Sequence, residues 1–489
     1  MSNVLPSDSF VAHVRAAHVA NPARFRIAFL AVLAIVVVGM SLKYAVKIDK
    51  PGDTGQQSRS AFLRWRSMIH EVFAGTNIYV GVYEYPNPPI MAIVLKPFAD
   101  LPPMAGAIAW FYAKVLMAVL AAVWVFRLVR SDADASSDLA KAVVILLSLP
   151  PLLGDLSHNN VNIFILFLVA ACLEAYRRNW DLTAGLVLGL AIACKVTPLM
   201  FLCYFVYKRA WKAVAGCVLG LALWLAIVPG VVFGWDRNAE LLEGWYSLMV
   251  KPAIVDNRVT SEHPNQSIPG IVYRLFTHSP SFVVYPDNLP TPAAFHNVAD
   301  IGTDAARWVV KICLVSFALL IVVLCRAPRG EWQGVRVAAE CSLIVLGMLL
   351  FSERTWKHHA VTLMLPFAAI AFFAFAEGTS RHVKRLLLGV MIAVAALTNL
   401  PGLLPAQASD LAMVYGSYTA AFVLLTVGIG ILLVTLLTVR KVQGLAVAAD
   451  AATEYDARPG RSPVSSERES ARPQRPTMSH PHCQRDPAE

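Results

Sequence analysis

Apolar residues in this chain gather in long blocks instead of alternating with polar ones. Stretches such as Ile27 to Met40 and Val214 to Phe233 follow Arg or Lys and then run on without a charge. That is the pattern of helices that cross a lipid bilayer, not of elements packed around a soluble core. It predicts about twelve apolar helices, at 27–46, 104–126, 141–153, 161–176, 182–194, 198–207, 213–233, 305–325, 337–351, 360–376, 386–404 and 416–439. Spans below about 17 residues cannot cross a hydrocarbon core of about 30 Å unaided. The short ones are therefore expected to extend into polar flanks or to form half-depth hairpins sheltered by neighbours. The expected fold class is an all-α, polytopic integral membrane protein.

Basic residues sort by loop parity. Arg24 and Arg26, Arg127 and Arg130, Arg177 and Arg178, Lys208, Arg209 and Lys212 all fall in one set of loops. So do Arg326, Arg329 and Arg336, Arg381, Lys384 and Arg385, and Arg440 and Lys441. The positive-inside rule makes that set cytoplasmic. An even number of crossings then places both termini in the cytoplasm: a segment 1–26 before an uncleaved first helix, a multispanning domain 27–440, and a tail 441–489. The tail is rich in Pro, Ser, Arg and Glu and reads as disordered. The other parity, non-cytoplasmic, holds the long loops 47–103 and 234–304 and the short turns 154–160, 195–198 and 352–359. Polar residues thus reach one membrane face from five segments, which suits a reaction site at the mouth of a helical bundle. A transporter places its ionisable groups at mid-depth in broken helices.

Composition agrees. The chain is 57% hydrophobic and 15% charged, against roughly a quarter charged in soluble proteins. A soluble enzyme, a nucleic-acid binder and a secreted disulfide scaffold are excluded. The net charge of +10 is spread as pairs and triplets between spans, so it writes topology and implies no nucleic-acid partner. Eight cysteines include no CxxC pair, and neither a disulfide framework nor a zinc knuckle is indicated.

The candidate chemistry lies in the outer segments. From Ala61 to Phe73 the residues Phe62, Trp65, Ile69, Val72 and Phe73 recur at helical spacing, an amphipathic helix expected to lie on the bilayer or to help hold a lipid phosphate through its arginines. Tyr85-Pro86-Asn87-Pro88-Pro89 fixes extended backbone, after which Ile90 to Pro97 can dip into the membrane. The turn 154–162 offers Asp155, His158, Asn159, Asn160 and Asn162, groups that suit sugar hydroxyls; Asn159 or Asn160 can equally cap the next helix. Lys195, set between apolar runs, needs an anion: a lipid-linked phosphate, or a carboxylate such as Asp155. Snorkelling to the interface is its bland role.

His263-Pro264-Asn265-Gln266-Ser267 and Tyr273-Arg274 add polar groups in the second large loop, where Asn265 also heads a glycosylation sequon of low specificity. Ser352 to His359 is the denser cluster: Arg354 and Lys357 can bind phosphate, Trp356 can stack on a sugar, and His358 or His359 can exchange protons. The adjacent histidines lack HExxH spacing, so no metal is expected. Asp132-Ala133-Asp134 reads as solvated acid in a short cytoplasmic loop. No P-loop, GxGxxG or GxSxG occurs.

These pieces, in their order, resemble glycosyltransferase family 87, multispanning transferases of the GT-C type. The residues that carry the resemblance begin with Gly75-Thr76-Asn77-Ile78-Tyr79, Tyr85-Pro86-Asn87-Pro88-Pro89 and Asn159-Asn160-Val161-Asn162. They continue with Ala184-Gly185-Leu186, Gly189-Leu190-Ala191, Lys195 through Pro198 and Asn265-Gln266-Ser267, and end with Ser352, Trp356, His358 and His359. The resemblance spans about 27–440 and implies a GT-C-like helical bundle with large outer loops. It further implies a sugar, often mannose, transferred from a polyprenyl-phosphate donor to a lipid or glycan acceptor at the outer face of a bacterial inner membrane, usually with inversion and without nucleotide or other cofactor. Two positions depart from the family pattern. Ala61 stands where an acidic residue is usual, and Asn160 where Gln is usual.

The expected base is then Asp53, with Asp49 and Asp155 as alternatives and Glu71, His358 or His359 as further substitutes. Lys195, Arg354 and Lys357 are expected to hold the phosphate. Asn160, Asn162, Asn265, Gln266, Tyr85, Trp356, His358 and His359 are expected around the sugar. A lipid or solute transporter, or a noncatalytic envelope scaffold related to the transferases, are the competing readings.

Overall fold

The structure is a computed structural model that describes residues 22–49, 60–81, 85–130, 137–256, 258–286, 289–328, 334–376 and 378–456. Asp53 and Asp132-Ala133-Asp134 lie outside the described residues. Each of the twelve apolar stretches is helical. Eight described helices are long and apolar enough to cross a membrane, among them Ala23–Asp49, Pro103–Val129, Asp138–His158 and Gly302–Leu324.

The four shorter ones are Asn162–Arg177, Asp181–Cys194, Leu199–Tyr207 and Gly334–Leu350. Asn162–Arg177 and Gly334–Leu350 are buried along most of their length. Protein, not lipid, surrounds these two, so their length need not match the bilayer. Residues 437–489 form a second unit, in which the described stretch 437–456 is helical. The helix Ser417–Asp456 thus extends into what reads from sequence as tail.

Local sequence explains how the polar turns are held. Ser137–His158 stops at Asn159, whose φ of 54° is left-handed, a conformation asparagine tolerates better than most residues. Asp181–Cys194 packs on Trp211–Leu221 through Gly185, Gly189, Gly216 and Gly220. A Cβ on Gly185 would stand 2.1 Å from the Ala213 carbonyl oxygen, and one on Gly216 would stand 2.3 Å from that of Leu182. Small residues let the two backbones touch, which braces the turn carrying Lys195.

Ala61–Ala74 is a helix, ended by Gly75 at φ 112°. Its apolar face meets protein instead of the bilayer expected from sequence: Phe62, Ile69 and Val72 are fully buried in the main core. Pro88 has extended backbone, and the following apolar stretch is a helix, Pro89–Ala99, with Pro89 at its first position. The second outer loop adds the short helix Ile268–Phe276 and a hairpin pairing Phe282–Val284 with Thr291–Ala294.

Ion pairs tie the opposite ends of these helices. Arg26 meets Asp138 at 2.5 Å, Arg177 and Arg178 meet Glu174 at 2.7 and 2.8 Å, and Lys208 meets Glu340 at 2.6 Å. The helices Ser137–His158 and Asn162–Arg177 therefore carry these ion pairs at one end and flank the turn at 154–162 with the other.

Candidate active site

A cavity of about 1080 Å³ opens where those turns meet. Of the residues singled out from sequence, Asn160, Asn162, Lys195, Arg354, Trp356, His358 and His359 line it. They come from three separate segments of the chain.

A buried chain of polar contacts underlies one wall. Lys114, in the middle of Pro103–Val129, and Asp155 are both fully buried, with Nζ 3.3 Å from Oδ2 and 3.0 Å from the Asp155 carbonyl. Asn162 donates from Nδ2 to Asp155 Oδ1 at 2.9 Å, and Lys195 donates to Asn162 Oδ1 at 2.7 Å. Asp155 thus reaches Lys195 through Asn162, and its ion-pair partner is Lys114, which the sequence reading did not select. Burial pushes the Lys195 ammonium down to about 8, with the charge of Asp155 opposing that shift.

The 3-10 turn Lys357–Leu363 carries the histidine pair. His358 is almost fully buried; its Nε2 lies 3.4 Å from Asn160 Nδ2 and its ring 5.2 Å from that of His158. The His359 ring stands nearly perpendicular to it, and His359 Nδ1 accepts from the Trp356 backbone N–H at 3.3 Å. Among the described residues no three His, Cys, Asp or Glu side chains converge as metal ligands.

Other expected residues sit elsewhere. Asn265 is fully buried and shapes backbone: Nδ2 donates to the carbonyls of Thr260 and Glu353, each at 2.8 Å, while Oδ1 accepts from Ser267 and Thr355. Gln266 likewise bonds the carbonyls of His263 and Met413 and the N–H of Tyr418. Neither lines the cavity, and burial also closes the Asn265 sequon. Tyr85 is fully buried against Trp65 and Tyr79. Lys357 and Asp49 are exposed and absent from the wall. Neither Asn159 nor Asn160 caps the next helix in the usual way: Asn159 donates to Tyr44 and the Ala107 carbonyl, and Asn160 Oδ1 accepts from the adjacent Val161 N–H.

The wall also holds residues to which sequence reasoning assigned no role of their own: Asn87, Arg258, Arg307, Lys311 and Glu353. The buried Asn87 Nδ2 has no hydrogen-bond partner among the described residues. Arg307 and Lys311 share one face of Gly302–Leu324 at i, i+4, and Lys114 is a single charge inside an apolar helix. Ionisable residues inside an apolar span were the available signal.

The sequence profile of glycosyltransferase family 87 matches residues 85–353, more than half of the chain. Among curated proteins the chain is similar to the polyprenol-phosphate-mannose-dependent alpha-(1-2)-phosphatidylinositol mannoside mannosyltransferase of Mycolicibacterium smegmatis. The two are 25% identical over 307 residues, 59% of this chain and 62% of that protein. The match therefore spans less than two thirds of that relative.

Proposed function

The chain belongs to glycosyltransferase family 87 and is a multi-pass membrane glycosyltransferase, and from that premise we propose that it transfers a mannosyl or related sugar from a polyprenyl phosphate to a lipid or glycan acceptor. The observation that carries this reading is the charge of the cavity. Arg64, Lys195, Arg258, Arg307, Lys311 and Arg354 line it against one carboxylate, Glu353, among the described residues. Beside them stand apolar side chains such as Leu199, Met200, Leu248 and Phe351. Cations and hydrocarbon in one cavity suit an anionic head on a long apolar tail.

In this reading the cations hold the phosphate and stabilise the charge that grows on it as the sugar–oxygen bond breaks. Lys195 is the central ligand, oriented by Asn162 and Asp155. Asn160, Asn162, Asn87 and His358 face the sugar hydroxyls, and Trp356 stacks at the rim. The active face is non-cytoplasmic, both termini are cytoplasmic, and the membrane is a bacterial inner membrane. No metal and no cofactor take part.

The test is transfer of radiolabel from polyprenyl-phosphate mannose into lipid or glycan by the purified chain in liposomes. Product is expected from the wild type. Lys195→Met is expected to weaken donor binding by about tenfold or more, the worth of one charged hydrogen bond. Donor that crosses the bilayer without a new glycosidic bond would instead make the protein a transporter.

A further inference from the structure

We infer that Glu353 is the general base of the transfer, the role left open by Ala61. The inference rests on the transferase reading. It starts from the cavity wall, where Glu353 is the single carboxylate among the described residues. The other described carboxylate candidates are occupied or misplaced. Asp155 lies fully buried behind the wall between Lys114 and Asn162. Glu71 accepts from the Thr76 hydroxyl at 2.9 Å and is not on the wall, and Asp49 is exposed at the end of the first helix. Ala61 itself is buried in the core.

The turn that carries Glu353 is fixed to a degree that a surface turn does not require. Its carbonyl accepts from Asn265 Nδ2 at 2.8 Å, and Thr355 is held by Asn265 Oδ1 at 2.9 Å, by the Gln266 N–H at 2.7 Å and by its own hydroxyl bond to the Leu349 carbonyl at 2.6 Å. The buried Asn265 carboxamide and the Gln266 backbone N–H thus hold the backbone on either side of Arg354. The Glu353 side chain stays about 30% exposed, with Oε1 3.2 Å from Arg354 Nε, while Arg354 is itself tied to Thr260 Oγ1 at 2.8 Å. That leaves a carboxylate anchored on one oxygen, on the wall of the cavity that Lys195 and His358 also line.

Burial raises the carboxyl above its ordinary range, with Arg354 opposing the rise. A carboxylate whose proton affinity is raised in this way takes a proton more readily. In the reaction the acceptor hydroxyl gives its proton to Glu353 as its oxygen bonds to the anomeric carbon. The bond from that carbon to the phosphate oxygen breaks, and the electron pair leaves with polyprenyl phosphate toward Lys195. Glu353 then returns the proton to water.

The experiment uses the full chain in liposomes with polyprenyl-phosphate mannose as donor and phosphatidylinositol mannoside as acceptor. It compares the wild type with Glu353→Gln, Glu353→Asp and Asp53→Asn. Glu353→Gln is expected to lower kcat by about 100-fold or more, with donor Kd within about twofold of wild type as the sign of an intact fold. Glu353→Asp should retain activity and move the acid limb of the kcat profile to lower pH, which a structural role would not do. A Glu353→Gln variant that keeps most of its kcat, an acid limb unmoved in Glu353→Asp, or loss confined to Asp53→Asn overturns the assignment while the transferase stands. A wild type that binds donor and forms no glycosidic bond overturns the transferase reading, and the base with it.

Discussion

Lys195 shows how one residue ties charge, burial and pH together. Its ammonium is held near 8 by burial, and only the protonated form attracts a phosphate. Donor affinity of the free protein should therefore be level below neutral pH and fall by about tenfold per unit as pH rises through and beyond that value. Titrating donor binding from pH 6 to 10 checks this, and Lys195→Arg, charged throughout, should flatten the curve. Behind it, Lys114 and Asp155 depend on each other. Replacing one leaves a buried charge alone, a loss of about 3–5 kcal/mol. Lys114→Met or Asp155→Leu should thus melt well below wild type, whereas the double variant should recover most of the melting temperature. It should not recover donor affinity, because Asn162 then lacks the carboxylate that orients it; thermal melts and binding on the same samples separate the two effects.

At the scale of elements, the crossing of Asp181–Cys194 with Trp211–Leu221 sets where the Lys195 turn sits. Gly185→Ala puts a carbon 2.1 Å from a backbone oxygen, which no rotamer relieves, so the helices must part at a cost of about 1–3 kcal/mol or more. Both the melting temperature and donor affinity should drop. Gly154→Ala, where a Cβ meets nothing within 4 Å, is the control and should leave both unchanged. Gly185 and Gly189 were legible in the sequence as part of the family resemblance. The burial of the Ala61–Ala74 helix was not: an amphipathic pattern states that one face is apolar, and lipid and protein satisfy that face alike.

For the whole molecule, sidedness decides which donor leaflet and which acceptor the cavity can meet. In a background without the native cysteines, Lys357→Cys should react with an impermeant maleimide added outside intact cells, and Arg178→Cys only after permeabilisation. The reverse result would put the cavity in the cytoplasm.

The blocks of apolar residues alone determined the helices, because partition out of water is a property of each stretch by itself. The basic loops and the three polar turns were likewise visible as runs of neighbours in sequence. Which polar residues meet is a different matter. Asn160 and His358 lie 198 residues apart, and Lys114 and Asp155 lie 41 apart. Asn265 and Gln266 looked like sugar ligands until packing turned their amides onto backbone carbonyls. A hydrogen bond acts over about 3 Å, and only the packing of distant helices sets contacts at that range.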